Sequence, residues 1–234
     1  MDEIIYDIFD IYNNIFFANL NQLNHKKDKY QLMNSVYIIA KTFLAYRKEI
    51  CYNKAYIEII YLFLFIEDNE EDAFINFVNF FSESNYFQLY GDNEYRKEIT
   101  NFFNSLLKSK LPNIESHFNQ LEIIPELYFI DWMKNFYIET LDISIVLQIF
   151  DLLILNGEYI LFQTGISILK ILEQELMNTT ISQALNLLKR LPNKYNKEKF
   201  FDVFNSYNNI KIEFIKWKNN KMIDAQKRCF ISDK

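Results

Sequence analysis

Residues 111–175, LPNIESHFNQLEIIPELYFIDWMKNFYIETLDISIVLQIFDLLILNGEYILFQTGISILKILEQE, hold two of the three prolines and two of the three glycines of the chain, and they decide its fold class. Each punctuation residue falls where a helix should begin or stop. Pro125 suits a first helical position, where a missing N–H costs nothing, and Tyr128, Trp132 and Phe136 then recur at i, i+4 and i+8. The spacing predicts one helix from Pro125 through Phe136. Asp142 stands as N-cap before a second, whose Ile145, Val146, Ile149, Phe150, Leu152 and Leu153 form a broad apolar stripe, and Gly157 sits where a left-handed C′ residue would close it. Leu161, Phe162, Ile168, Leu169 and Leu172 mark a third helix, with Lys170 and the neighbouring glutamines and glutamates assigned to its wet side.

The same periodicity extends outward in both directions. Ile4, Ile5, Ile8 and Ile15 space like a helix that begins almost at Met1, and Leu32, Val36, Ile39, Phe43 and Leu44 like one ending near Arg47. Ala55–Ile66 is apolar apart from Glu58, the pattern of a central helix buried on all sides. Asp68 with Glu71 fits a capping box for a helix through Ala73, Phe77 and Phe81. The acidic run 67–72 lacks the glycine and alternating ligands of a calcium loop, so a solvated helix start is favoured over a metal site. Asp92 precedes a helix through Ile99, Phe103 and Leu107, Thr180 with Gln183 opens one that Pro192 ends, and 197–227 read as two closing helices. With 23 Phe, 16 Tyr and 33 Ile, strands are a competing reading, but three Gly and three Pro supply too few turns for an all-β chain of 234 residues. The expectation is an all-α fold, with a waist near Ser109–Pro112 between an N-terminal lobe, 1–110, and a C-terminal lobe, 111–234.

Composition and motifs exclude several functions. A net charge of −6 argues against general nucleic-acid binding, which needs a basic footprint. Gly91, Gly157 and Gly165 are isolated, so no phosphate-cradling loop and no bound cofactor is expected. There is no Gly-x-Ser-x-Gly elbow, no Cys-x-x-Cys pair and no His-Glu-x-x-His helix, and His25 and His117 are too few for a metal centre. His117, between Ile114 and Leu121, reads as a hydrogen-bonded packing residue rather than a base. Cys51 and Cys229 are one pair at most and nothing like a signal peptide precedes the first helix, which points to a reducing cytosol. The longest uncharged apolar run, 59–66, is eight residues, far short of the roughly 20 that span a bilayer. Membrane contact is therefore expected to be indirect, with the protein in the cytoplasm or at the periphery of endomembranes.

One family resemblance gathers these signals. Leu111-Pro112, His117-Phe118, Ile124-Pro125-Glu126-Leu127-Tyr128, Trp132, Phe150-Asp151, Gly157-Glu158 and Leu161-Phe162, in that order, resemble the second half of a TBC domain, the helical module that acts on Rab-type small GTPases. Phe150 replaces the tryptophan usual in the family, one large aromatic for another. The resemblance implies a two-lobed, multi-helix domain in vesicle trafficking, with a Rab-family GTPase as partner.

In the first half, active members share Ile-x-x-Asp-x-x-Arg, whose arginine reaches the γ-phosphate of the bound GTPase, and Tyr-x-Gln, whose glutamine orients the attacking water. Here the matching stretches are residues 4–10 and Tyr56-Ile57-Glu58, with Ile15-Phe16-Phe17, Leu44-Ala45-Tyr46 and Glu71-Asp72-Ala73-Phe74 agreeing around them. Ile4, Asp7 and Tyr56 keep the pattern. Asp10 stands at the arginine position and Glu58 at the glutamine position. A carboxylate opposes the negative charge that an arginine finger stabilises, and ionised Glu58 lacks the N–H2 donor of an amide. The family's earlier Arg-x-x-x-Trp segment has no counterpart, since only nine residues precede Asp10. The resemblance thus implies a trimmed relative that binds through a surface including Asp7, Asp10, Tyr56 and Glu58 but is impaired as a GTPase activator and is not itself an enzyme. Asp10 and Glu58 are expected to share one surface of the first lobe. Set beside this are a plain reading, in which Asp10 is a solvated helix residue and Glu58 a paired core residue, and two rivals: an active GTPase-activating protein using Arg47 or Arg96, and a helical scaffold that binds no GTPase.

Overall fold

The computed structural model describes residues 3–13, 28–67, 69–83, 88–189, 191 and 196–232, with the side chains of 82, 83 and 222–232 left aside. Ile15, Phe16, Phe17, His25, Asp68 and Pro192 lie outside the described residues. The chain is all-α, and no strand occurs among the described residues. The helices are α1 (Glu3–Ile11), α2 (Lys29–Tyr46), α3 (Lys54–Ile66), α4 (Glu70–Glu83), α5 (Gln88–Gly91), α6 (Asn93–Lys110), α7 (Pro112–Gln120), α8 (Phe129–Lys134), α9 (Ile143–Asn156), α10 (Tyr159–Leu176), α11 (Ile181–Lys189), α12 (Lys197–Asn205) and α13 (Ile210–Ser232). Contacts divide them into two compact units. One is Met1–Lys97 with Ile130–Glu139, and the other is Glu98–Phe129 with Thr140–Lys234.

The first unit is built around α3, where every residue from Ala55 to Leu64 is buried. A helix apolar on all sides must be covered on all sides, and α1, α2 and α4 pack against it. Each presents a narrower stripe: Ile4, Ile8 and Ile11 on α1, Leu32, Val36, Ile39 and Phe43 on α2, Ala73, Phe77 and Phe81 on α4. Aromatic rings fill the middle edge to face, with Phe43–Phe77 at 4.8 Å and Phe77–Phe81 at 5.0 Å between centroids. Such T-shaped pairs add about 0.5–1.5 kcal/mol beyond burial. The Asn69 side chain caps α4 by accepting from the Glu71 N–H at 3.0 Å.

The second unit is organised around α10, whose buried positions run almost unbroken from Ile160 to Leu169. α7, α9, α11, α12 and α13 contact it. Gln163, assigned to the wet side from sequence, is instead enclosed: its amide donates to the Phe204 carbonyl at 2.7 Å and to Asn208 at 3.1 Å. With helices on several sides, α10 has no wet face at that position, and the amide survives burial by bonding a backbone carbonyl. Phe102 stacks on Trp217 at 4.7 Å, and Lys218 pairs with Glu158 at 2.7 Å.

The caps read from sequence are present in large part. Asp142 accepts from Ser144 N at 2.9 Å, Asp92 from Glu94 N at 2.8 Å and Tyr95 N at 3.1 Å, and Gln183 accepts from Thr180 N at 3.0 Å. The helix expected from Pro125 through Phe136 does not form. A 3-10 turn, Pro125–Leu127, is followed by the six-residue α8, and Phe136 and Tyr137 then take φ of 51° and 65°. At the end of α8 the Tyr137 N–H is shared between the Trp132 carbonyl at 3.0 Å and the Asn135 side chain at 3.1 Å, bonds that close the helix instead of continuing it. The apolar spacing was right about burial, since Tyr128, Trp132 and Phe136 are all interior, but not about backbone.

Gly157 closes α9 as expected, but at φ 95°, ψ −176° it is extended with positive φ rather than left-handed helical, and a Cβ there would meet nothing within 4 Å. That backbone region is open essentially to glycine alone, so Gly157→Ala is expected to cost about 1–3 kcal/mol through strain without a clash. Urea unfolding of the two proteins measures it, and equal stability would show that the turn relaxes freely.

Candidate functional site

The inward face of α1 is set by Ile4, Ile8 and Ile11, which leaves Asp7 and Asp10, three residues apart, half-buried on its other side. The start of α3 supplies their partners. Asn53 caps α3 by accepting from Ala55 N at 3.0 Å, which fixes Tyr52 and Lys54 on either side of it. The Tyr52 hydroxyl donates to Asp7 at 2.6 Å, and the Lys54 ammonium donates to Asp10 at 3.0 Å. Lys54 also pairs with Glu139 at 3.5 Å. Its partial burial works against the charge, but the Asp10 hydrogen bond and the charges of Glu139, Asp10 and Glu58 outweigh that, and its pKa is raised.

Glu58 lies one turn beyond Lys54 on α3 and is only 2 % exposed. Burial pushes its carboxyl well above the ordinary value, and the Glu139 charge pushes it further, against the attraction of Lys54. Asn135 and Glu139 are its side-chain hydrogen-bond neighbours, and its Oε2 has no partner among the described residues. The raised pKa favours the protonated form of this carboxyl. Tyr56 is interior as well: its ring packs on Phe43, Phe81 and Tyr90, burial raises its pKa, and its hydroxyl lacks a hydrogen-bond partner among the described residues.

The four residues singled out from sequence thus fall into two environments. Asp7 and Asp10 are at the rim of the unit, while Tyr56 and Glu58 are inside it. Asp10 and Glu58 do belong to one electrostatic network, joined through Lys54 and Glu139, but they do not share a surface as expected. The reason is α3 itself, which is covered all round, so position 58 goes inside whatever its polarity. Sequence reasoning missed Lys54, Tyr52, Asn135 and Glu139. Lys54 had a signal, its i, i+4 spacing to Glu58 on a helix; Glu139 had none, because only tertiary contact brings it there.

The remaining candidates are placed elsewhere. Arg47 pairs with Glu49 just past α2, and the Arg96 guanidinium donates to the Leu89 carbonyl at 2.9 Å and to Asn93. His117 is half-buried with Nε2 enclosed and without a hydrogen-bond partner among the described residues, so the bonded packing role expected of it is not met at that nitrogen. Among the described residues, no group of three or more His, Cys, Asp or Glu is placed to hold a metal ion, and no helix is long and apolar enough to cross a membrane.

Residues 11–177 match the sequence pattern of the Rab-GTPase-TBC domain. The chain belongs to the Rab-GTPase-TBC domain family. Tyr56 and Glu58 lie inside the matched span, and Asp7 and Asp10 just before it. This TBC domain is 27% identical over 164 residues to TBC1 domain family member 12 of Xenopus tropicalis, covering 70% of this chain and 24% of that protein. It is 27% identical over 168 residues to TBC1 domain family member 14 of Homo sapiens, again 70% and 24%. The chain thus spans about a quarter of the length of these curated relatives. Among solved structures, the Chlamydomonas flagellar RabGAP TBC domain superposes with a TM-score of 0.67 at 19% identity, covering 86% of this chain and 64% of that one. The Ypt/Rab-GAP domain of Gyp1p superposes at 0.62 and 13%, covering 88% and 73%. At such identities the likeness is one of fold.

Proposed function

We propose that this TBC domain binds a Rab-family small GTPase in vesicle trafficking, in the cytoplasm at the periphery of endomembranes, and that its GTPase-activating chemistry is weak or lost. The first unit, in which residues 130–139 join 1–97 in place of the lobe 1–110 expected from sequence, offers the finger positions. The relatives support the partner: the solved neighbours are named as Rab GTPase-activating domains. The observation that carries the loss of chemistry is the pair of carboxyl groups in the two finger positions, Asp10 tied to Lys54 and Glu58 enclosed in the core.

An arginine finger accelerates hydrolysis roughly 10³- to 10⁵-fold by stabilising charge on the transferring phosphoryl group. Asp10 brings the opposite sign, and Lys54 beside it is shared between Asp10 and Glu139. Glu58 has no route to a docked nucleotide without leaving its enclosure. Binding depends on the wider surface and does not need either side chain. The test is a panel of Rab proteins, each loaded with GDP or a non-hydrolysable GTP analogue, followed by single-turnover hydrolysis with any that bind. The expected result is binding to the GTP-analogue form of at least one Rab with a hydrolysis rate within a few fold of its intrinsic value. Strong acceleration that survives Asp10→Ala would overturn the impaired reading, and no binding across the panel would overturn the partner.

A further inference from the structure

On the first unit, α2 and α4 leave an open cleft of about 340 Å³ between them. Ile38 and Ile75, 46 % and 51 % exposed, form its two lips, Phe74 and Thr42 line it, and Glu70 and Glu71 stand at one end. Among the described residues, its lining contains no basic side chain. Glu70 bonds the Ser35 hydroxyl, which holds that carboxylate at the edge, while Glu71 and Asp72 make no ion pair among the described residues. Acidic residues in a first helical turn also favour the helix dipole, which accounts for their sign. It does not account for two isoleucines left facing water beside them.

The second unit carries a surface of the converse character. α13 turns Ile210 and Phe214 inward and stacks Trp217 on Phe102. On its other side Ile212 and Ile215, 57 % and 48 % exposed, lie with Lys216 and Asn219 at i, i+3, i+4 and i+7, one face of a helix. The lysines of the inner side are paired within the unit: Lys218 with Glu158 and Lys221 with Glu98. Lys216 makes no ion pair among the described residues, and Lys211 lies over the Tyr159 ring at 5.5 Å. An aliphatic pair flanked by lysines is what an apolar cleft with a carboxylate end would receive, in the manner of a helix laid into a groove. At about 340 Å³ the cleft is at the small end for a ligand site, and better suited to side chains entering from a helix.

We propose that the α2–α4 cleft is a self-association site that receives the exposed Ile212–Ile215 stripe of α13 from a second copy of this chain, with Glu70 and Glu71 facing Lys211 and Lys216. Both halves of the contact are present on one molecule, and their charges are opposite although the whole chain is acidic, which is why a second copy is the occupant chosen. Contact between unlike faces either closes or extends into longer assemblies. The association involves no GTPase and stands apart from the proposed function.

Sedimentation velocity of the full chain, from low micromolar to several hundred micromolar, tests it. The weight-average mass is expected to rise with concentration. Ile75→Asp and Ile215→Asp should each weaken association at least about tenfold, as expected for the centre of a small contact. Glu71→Lys and Lys216→Glu should each weaken it, and the two together should restore it to within about threefold of the unmodified chain. All four positions are exposed, so far-UV circular dichroism and melting should be unchanged, and any variant that fails that check is replaced by the polar change at the same site, Ile75→Ser or Ile215→Ser. A chain that stays monomeric throughout, association indifferent to both aspartate variants, or charge variants that do not rescue each other would overturn the proposal. So would a monomeric chain whose cleft binds a synthetic leucine–lysine amphipathic helix in an Ile75-dependent way, since the occupant would then be a foreign helix.

Discussion

The paired change Asp10→Arg with Glu58→Gln is expected to turn a Rab-binding but nearly inert domain into one that measurably speeds hydrolysis. An arginine finger contributes roughly 10³- to 10⁵-fold because its guanidinium meets the charge spreading over the phosphoryl oxygens. At position 10 the change also reverses the sign of the field there, since it replaces a carboxylate rather than a neutral group. Glu139, nearly half exposed, remains to balance Lys54 once Asp10 is gone, so the substitution does not leave two cations without a counter-charge. At position 58 an amide supplies both a donor and an acceptor whatever the pH, whereas the carboxyl does so only while protonated. Because position 58 is enclosed, Glu58→Gln alone is expected to do little, and Asp10→Arg to carry most of the gain. Single-turnover assays with a Rab that binds the unmodified chain measure both. If the double variant still binds and yet hydrolysis stays at the intrinsic rate, the finger assignment of Asp10 is wrong.

The second large effect concerns stability and needs no partner. Glu58 has its pKa raised by burial first and by Glu139 second, against Lys54, so in the folded state its carboxyl keeps a proton that the unfolded chain releases near the ordinary value of 4.5. The sign follows: the native state then binds more protons than the unfolded state, and unfolding free energy falls as pH rises. The contribution is fully present below about 4.5 and is lost at a limiting slope of about 1.4 kcal/mol per pH unit up to the folded-state value. This is the reverse of a salt-bridged carboxylate. The groups that face it are Glu139, Lys54 and Asn135, with Tyr90 also coupled to its charge. Asp131, raised by burial and then by Glu139, adds a slope of the same sign, so the comparison that isolates Glu58 is with Glu58→Gln, which cannot ionise. Urea unfolding at pH 5.5, 6.5 and 7.5 should show the unmodified chain losing stability with pH more steeply than Glu58→Gln, with the variant the more stable at pH 7.5. Parallel curves would mean that Glu58 is ionised in the folded protein.

Where helices begin and end was largely a local matter, and it was legible. Asp142, Asp92 and Gln183 make their capping bonds within three residues, and Gly157 takes a backbone region that other residues avoid, so chain neighbours suffice to specify them. The all-round apolarity of 55–64 likewise announced a central helix, because such a surface has no stable exposed state. The ordered residues from Pro112 to Phe162 carried the family resemblance, and residues 11–177 match that family. The helix expected through Phe136 breaks at Tyr128 and again after Lys134, where the Tyr137 N–H is shared by the Trp132 carbonyl and the Asn135 side chain, a choice that hydrophobic spacing does not register. Gln163 was misplaced because polarity alone says outside, and only the helices covering α10 decide otherwise; the shared surface expected for Glu58 came from the finger register, whereas its place on an all-round apolar helix already pointed to the core. The candidate site lies furthest from the sequence. Lys54 between Asp10 and Glu139, and Glu58 beside Asn135 and Glu139, join residues from three separate stretches, and their charges and protonation depend on distances and burial that exist only once α1, α3 and residues 130–139 have packed together.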